Sequence, residues 1–201
     1  MTVIAGEGRV PILYGHHAMA SPPHLTGYLA RPDAVDPHPA VVITAGIEAT
    51  NAVRTLARLV ARHGFAAVVP PGTRTEFTAA VDALGGAWGE WSRRDRRAVI
   101  GIGLGSGWAI AIAEERGLPL VLLSPQPTPV RLTGSSAALV LGVDDVGAEA
   151  AGAGGHWVTY RGSGLGFWDD ASPDYAEAPA ADSRARLIGF LDRHLAVPAA
   201  A

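Results

Sequence analysis

The chain contains no cysteine and no lysine. The absence of cysteine excludes disulfides, thiolate nucleophiles and thiolate metal sites. All 16 basic residues are arginine, so a Schiff-base lysine, a P-loop lysine and a lysine general base are excluded as well. These two absences remove several mechanisms before any motif is considered.

Long hydrophobic runs and a strong excess of charge are also missing. No apolar run approaches the roughly 20 residues that a bilayer-spanning helix needs. The opening residues, MTVIAGEGRV, lack the basic and apolar segments of a secretory signal. We therefore expect a cytoplasmic protein that does not bind membranes, and the net charge of −3 is too small to predict a charged partner.

The arginine-rich stretch at 93–97, RRDRR, is the only concentration of positive charge. It is short, it contains Asp95, and no aromatic side chains are interleaved with the arginines. Nucleic-acid sites commonly combine a basic surface with aromatic stacking platforms. The stretch therefore predicts a solvated loop or helix end, and no nucleic-acid partner is expected.

The length of 201 residues and the apolar fraction of 48% predict one domain, 1–201, with a sizeable core. Apolar runs and turn residues predict strands at 10–14, 25–31, 40–43, 65–69, 98–102, 118–123, 137–141 and 157–160. Helices are predicted from Thr50 or Asn51 to Gly64 and at 77–84, 108–115 and 181–195. This alternation predicts an α/β fold, a mostly parallel sheet with helices on both faces, with the first two strands paired at one edge.

Residues 99–113, VIGIGLGSGWAIAIA, pass through four glycines between two apolar segments. A dinucleotide site needs the pattern G-x-G-x-x-G after the first strand. Here the third glycine of that pattern would fall on Ser106 or on Trp108. A looser pattern similar to that of short-chain dehydrogenases fits, but it lies mid-chain in a protein without lysine. No cofactor is therefore predicted.

The alternative is a strand–turn–helix elbow, which holds a nucleophile on a sharp turn with small residues two positions on either side. Gly103 and Gly107 would flank an apex at Gly105. An apex at Ser106 would instead be flanked by Leu104 and Trp108, which are both large. The pattern thus predicts an elbow whose central residue is Gly105.

Four segments together resemble the dienelactone hydrolase family of the α/β-hydrolase superfamily. They are GYLARP at 27–32, the run from PAVVITAG to VVPPG at 39–72, LVLGVDD at 139–145, and WVTYRGSGLGFWDD at 157–170 followed by FLDRHL at 190–195. The resemblance extends over most of the chain. It implies the α/β-hydrolase fold and a nucleophile–histidine–aspartate triad.

The family's catalytic positions, carried over residue by residue, are mostly changed. The nucleophile falls on Gly105, the histidine on Leu165, and the aspartate on Asp145. A glutamate that the family keeps after its third strand falls on Gly46, although Glu48 is close by. Glycine offers no atom for attack and leucine accepts no proton, so the resemblance implies a protein that has lost its triad.

We therefore expect a non-hydrolytic protein that binds a small molecule, either an anion or a carbonyl compound. The amides of Ser106 and Gly107 are expected to point out of the helix start, and the missing side chain at Gly105 to leave space for the ligand. The predicted ligand-binding residues are Ile47, Glu48, Gly105, Ser106, Gly107 and Trp108.

Two alternatives remain open. One is an active serine hydrolase of esters or lactones that uses Ser106 as nucleophile with Asp145 and a histidine from elsewhere. The other is a non-catalytic scaffold partner of an active relative. Asp144, Asp145, Asp169 and Asp170 are more typical of solvated or capping carboxylates than of ligands, so no metal is predicted. The expected assembly is a monomer or a homodimer.

Overall fold

The computed structural model describes residues 8, 10–18, 26–47, 49–86, 88, 90–126, 130, 132–133, 137–143 and 155–195. These residues form a sheet in the strand order β1-β2-β4-β3-β5-β6-β7-β8. The strands are β1 Ile12–Ala18, β2 Thr26–Pro32, β3 His38–Thr44, β4 Ala66–Val69, β5 Ser92–Ile102, β6 Leu120–Leu123, β7 Ala138–Gly142 and β8 Gly155–Thr159.

Strands β3 to β8 run parallel, whereas β2 pairs antiparallel with both β1 and β4. The predicted fold class is confirmed, including the pair of strands at one edge. Because the six parallel strands run in one direction, the loops that follow them lie at one edge of the sheet, the carboxyl edge. That edge is where ligands bind in open α/β sheets.

Four helices cover the sheet: α1 Asn51–Arg62, α2 Arg74–Leu84, α3 Ser106–Arg116 and α4 Glu177–Leu195. The hydroxyl of Thr50 accepts a hydrogen bond from the Val53 amide and starts α1. Thr73 and Glu76 form a capping box at the start of α2, in which the threonine hydroxyl both accepts from the Glu76 amide and donates to its carboxylate.

The core is divided between the two faces of the sheet. On one face, α1 and α4 pack against Val41 and Ile43 of β3; on the other, α2 and α3 pack against Ala40 and Val42. This division follows from the alternation of side chains along a strand buried on both faces. It confirms that helices lie on both faces.

The stretch Arg93–Arg97 differs from its prediction as a solvated loop or helix end, because it forms the first half of β5. Its backbone pairs with β3, with Ser92 opposite His38 and Arg97 opposite Ala40. The Arg97 guanidinium donates to the carbonyls of Arg94 and Val81. Backbone pairing to a neighbouring strand decides the conformation here, and RRDRR carries no apolar alternation that would reveal it.

Candidate active-site remnant

The sharp turn between β5 and α3 lies at Gly103. Strand β5 ends at Ile102, a single 3-10 turn spans Gly103–Gly105, and α3 begins at Ser106. Gly103 has a φ of +50°, which L residues rarely adopt, whereas Gly105 has an ordinary helical φ of −70°. The bend therefore falls two residues before Gly105, the apex expected from the sequence.

The spaces around the three glycines of this turn differ sharply. A Cβ on Gly101 would lie 2.7 Å from the Cβ of Ala109, and one on Gly105 would lie 2.5 Å from the carbonyl oxygen of Thr44. A Cβ on Gly103 would meet nothing within 4 Å. The structure thus requires small residues two positions before and after Gly103, which is the flanking pattern of an elbow. Gly107, expected to be a flank, faces open space as well.

The space expected at Gly105 is filled by backbone from the loop after β3. A Cβ on Gly105 would lie 2.7 Å from the amide nitrogen of Gly46, and one on Gly46 would lie 2.8 Å from the amide nitrogen of Gly105. The Gly46 amide itself donates to the hydroxyl of Thr44. Two backbone segments therefore touch without side chains between them, and the predicted pocket above Gly105 is absent.

Ser106 is buried and faces the sheet from the first turn of α3. It is 1% exposed and lies on the same side of the helix as Ala109, Ile112 and Ala113. Its amide donates to the carbonyl of Gly103, so the prediction that this amide points outward is wrong. Its hydroxyl has no hydrogen-bond partner among the described residues, and no imidazole is hydrogen-bonded to it there.

The other predicted ligand-binding residues are distributed unevenly. Ile47 is 53% exposed at the carboxyl edge. Gly107 is exposed in the first turn of α3, and Trp108 is half-buried against the core between α3 and the sheet. Glu48 and Asp145 lie outside the described residues.

Leu165 lies at the carboxyl edge, in the loop that joins β8 to α4, and is 43% exposed. The loop is packed tightly around it, because a Cβ on Gly164 would collide with Asp174 and one on Gly166 with Ser172. Two residues beyond Leu165, Phe167 is fully buried. The main chain on both sides of Leu165 is therefore held in place.

A polar network fixes the start of the same loop to α4. The Tyr160 hydroxyl donates to the Asp182 carboxylate at 2.8 Å, and the Arg186 guanidinium donates to the same oxygen at 2.6 Å. The bond from Arg186 holds the pKa of Asp182 below its ordinary value, and burial together with the bond to Asp182 raises the pKa of Tyr160. The ring of Tyr160 also packs on Phe167.

Ser124 is a feature of the turn that the sequence did not predict. It directly follows β6 with a φ of +47°, the one positive φ of a non-glycine residue in the described part of the chain. Its hydroxyl is buried without a hydrogen-bond partner there. Two residues further, the Gln126 amide donates to the Gly103 carbonyl at 2.9 Å. Because Ser124 precedes a proline, its sequence context favours an extended conformation, so no sequence signal could have revealed this strain.

Two searches of the described residues gave negative results. No three histidine, aspartate or glutamate side chains come together in a way that could hold a metal ion. No helix in the described ranges is long and apolar enough to cross a membrane.

The parallel sheet, the helices on both faces and the glycine elbow after β5 define an α/β-hydrolase fold. The solved structures it resembles include a predicted dienelactone hydrolase from Klebsiella pneumoniae subsp. pneumoniae MGH 78578, with a TM-score of 0.72 and 17% identity over 91% of this chain and 99% of that one. A dienelactone hydrolase-like promiscuous phosphotriesterase from metagenomic libraries has a TM-score of 0.69 and 15% identity, covering 93% of this chain and 99% of its own.

No family model and no curated protein matches the sequence. At identities this low, the similarity to solved structures demonstrates the dienelactone hydrolase-like fold and leaves the chemistry to the residues of the site.

Proposed function

We propose that this chain comes from a dienelactone hydrolase-like lineage, lacks the nucleophile and histidine of the triad, and binds a small anion or carbonyl compound without hydrolysing it. The observation that carries the proposal is the open space over Gly103. The elbow keeps its glycine flanks and its bend, while the position from which a nucleophile would project holds only hydrogen.

The loop after β8 supports the same conclusion. Leu165 occupies the position that the family resemblance assigns to the histidine, and its surroundings are well packed. A leucine there cannot accept a proton from a nucleophile or return one to a leaving group. Two of the three triad roles therefore have no side chain that could perform them.

Ligand binding is favoured by what the turn retains. The first amides of a helical segment have no acceptor within the helix, and they attract anions and carbonyl oxygens. Here the segment starts at Gly103, and the Gly105 amide is covered by Gly46. The Leu104 amide is therefore the donor we assign to the ligand, beside the open space at Gly103.

The experiment measures melting temperature against increasing concentrations of δ-valerolactone and of butyrate. A ligand that binds only the folded state at 100 times its Kd stabilises it by about 2.7 kcal/mol, which corresponds to a rise of roughly 5 to 10 °C for a chain of this size. Gly103→Leu fills the open space and should abolish the rise.

Gly117→Leu is the matched control for that variant. Gly117 has a φ of +65° and also faces open space, but it ends α3 at the opposite end of the helix. The two variants carry similar backbone strain, so each is compared with its own ligand-free melting temperature. An equal response of both variants to ligand, or no response of the wild type to either compound, contradicts the proposal.

The alternative of an active hydrolase that uses Ser106 is tested by p-nitrophenyl acetate hydrolysis, with Ser106→Ala as the control. The burial of the Ser106 hydroxyl and the absence of a base hydrogen-bonded to it in the described part of the site weigh against this alternative. We expect both proteins to show only the background rate.

A further inference from the structure

The loops around Gly103 carry no charged side chain within their described residues. They comprise Ala45–Ile47 after β3, Gly103–Gly107 after β5 and Ser124–Gln126 after β6. In the sequence, the residues that follow the β3 loop and β7 are acidic, namely Glu48 and Asp144–Asp145. Arg161, in the loop after β8, already has an interaction within the protein. An anion over Gly103 would therefore depend on the helix start alone, which compensates poorly for the loss of water around a full charge.

Aliphatic side chains project from the same edge. Ile47, Leu104 and Leu165 are 53%, 59% and 43% exposed, and they lie on the loops after β3, β5 and β8. Leu104 directly follows Gly103, and Ile47 follows Gly46, whose backbone packs against the turn. Two of the three aliphatic side chains are thus next to segments that border the open space, where they can cover the apolar part of a ligand.

We infer that the site over Gly103 takes an uncharged carbonyl compound bearing an aliphatic chain and discriminates against the corresponding carboxylate, with Ile47 and Leu104 as specificity-determining residues. This inference rests on the proposed function, of which it selects one ligand class. The carbonyl oxygen lies at the start of the helical segment and the chain lies against the exposed aliphatic side chains.

The test compares three probes by calorimetric titration of the full chain. δ-Decalactone and 5-hydroxydecanoate share one carbon skeleton and differ in charge, while δ-valerolactone keeps the ring and lacks the chain. We expect δ-decalactone to bind about tenfold or more tightly than either of the others, since apolar burial raises affinity and the carboxylate loses its hydration. Chromatography of the recovered lactone checks that it has not been opened.

Serine substitutions locate the contact. Ile47→Ser and Leu104→Ser should each weaken δ-decalactone binding about three- to tenfold while leaving δ-valerolactone binding nearly unchanged. Val35→Ser is the matched control, because Val35 is an aliphatic side chain that is 97% exposed in the turn before β3, at the opposite edge of the sheet. It should leave all three affinities unchanged.

The possible failures are distinguishable. Equal or tighter binding of 5-hydroxydecanoate overturns the ligand class but leaves a binding site in place, and a loss of that binding in Arg54→Gln would point to the α1 arginine as its partner. No binding of any probe overturns the proposed function as well. A change in oligomeric mass in Leu104→Ser, with unchanged affinity, would mean that the aliphatic surface joins two copies of the chain and is not a ligand site.

Discussion

Alanine substitutions at individual glycines test the position of the elbow in the sequence. At Gly105 the new methyl group would lie 2.5 Å from the Thr44 carbonyl oxygen and 2.7 Å from the Gly46 amide nitrogen. Both are backbone atoms that cannot rotate away. Overpacking typically costs about 1–3 kcal/mol, occasionally more, and we expect Gly105→Ala to reach at least the upper end of that range.

The same substitution at Gly103 should cost much less, because only the positive φ opposes it, at about 1–2 kcal/mol. Gly117→Ala has a similar φ and similar open surroundings and should match it. Gly107→Ala adds a methyl group to α3 in open space and should stabilise the helix by roughly 0.5–1 kcal/mol. The expected order of stability is therefore Gly107→Ala, wild type, Gly103→Ala together with Gly117→Ala, and last Gly105→Ala.

Urea denaturation followed by tryptophan fluorescence gives the free energy of unfolding of each variant, and melting temperatures provide a second measure, at roughly 2–4 °C per kcal/mol for a chain of this length. If Gly105→Ala proved as mild as Gly103→Ala, the loop after β3 would not pack against the turn, and placing the bend at Gly103 would be mistaken.

Two further predictions concern the triad positions and the loop that holds Leu165. Gly103→Ser combined with Leu165→His should raise p-nitrophenyl acetate hydrolysis at least about tenfold, a small part of what a general base usually contributes, whereas Gly105→Ser with Leu165→His should give no gain; equal rates would contradict the new register. Asp182→Asn should flatten the dependence of stability on pH below about 4: since the bond from Arg186 depresses the carboxyl pKa from 3.8, its stabilisation is complete above that value and is lost as the pH falls through the folded pKa. Matching acid-unfolding curves for wild type and variant would show that this carboxylate does not stabilise the fold.

The fold follows well from the sequence because its signals are local. Compact β-branched runs such as AVVI at 40–43 and AVV at 67–69, and the threonine before α1, specify their elements without reference to the rest of the chain. Strand and helix alternation then leaves few arrangements. The polar half of β5 is the exception, since Arg93–Arg97 is extended only because β3 lies beside it.

The site follows less well because its register depends on contacts between distant segments. Glycines occur at 101, 103, 105 and 107, so the flanking rule fits an apex at Gly103 or at Gly105. Only the approach of Thr44 and Gly46 to Gly105 decides between them. The burial of Ser106 and the strained φ of Ser124 likewise result from packing between the turn, the sheet and the neighbouring loop.

The central claim, that the elbow holds no nucleophile, is tested most directly by the intact mass of the protein after incubation with a fluorophosphonate probe. The structure predicts an unchanged mass for the wild type, while Gly103→Ser combined with Leu165→His gains one adduct. An adduct on the wild-type chain that maps to Ser106 and disappears in Ser106→Ala would contradict the claim and establish a working serine hydrolase.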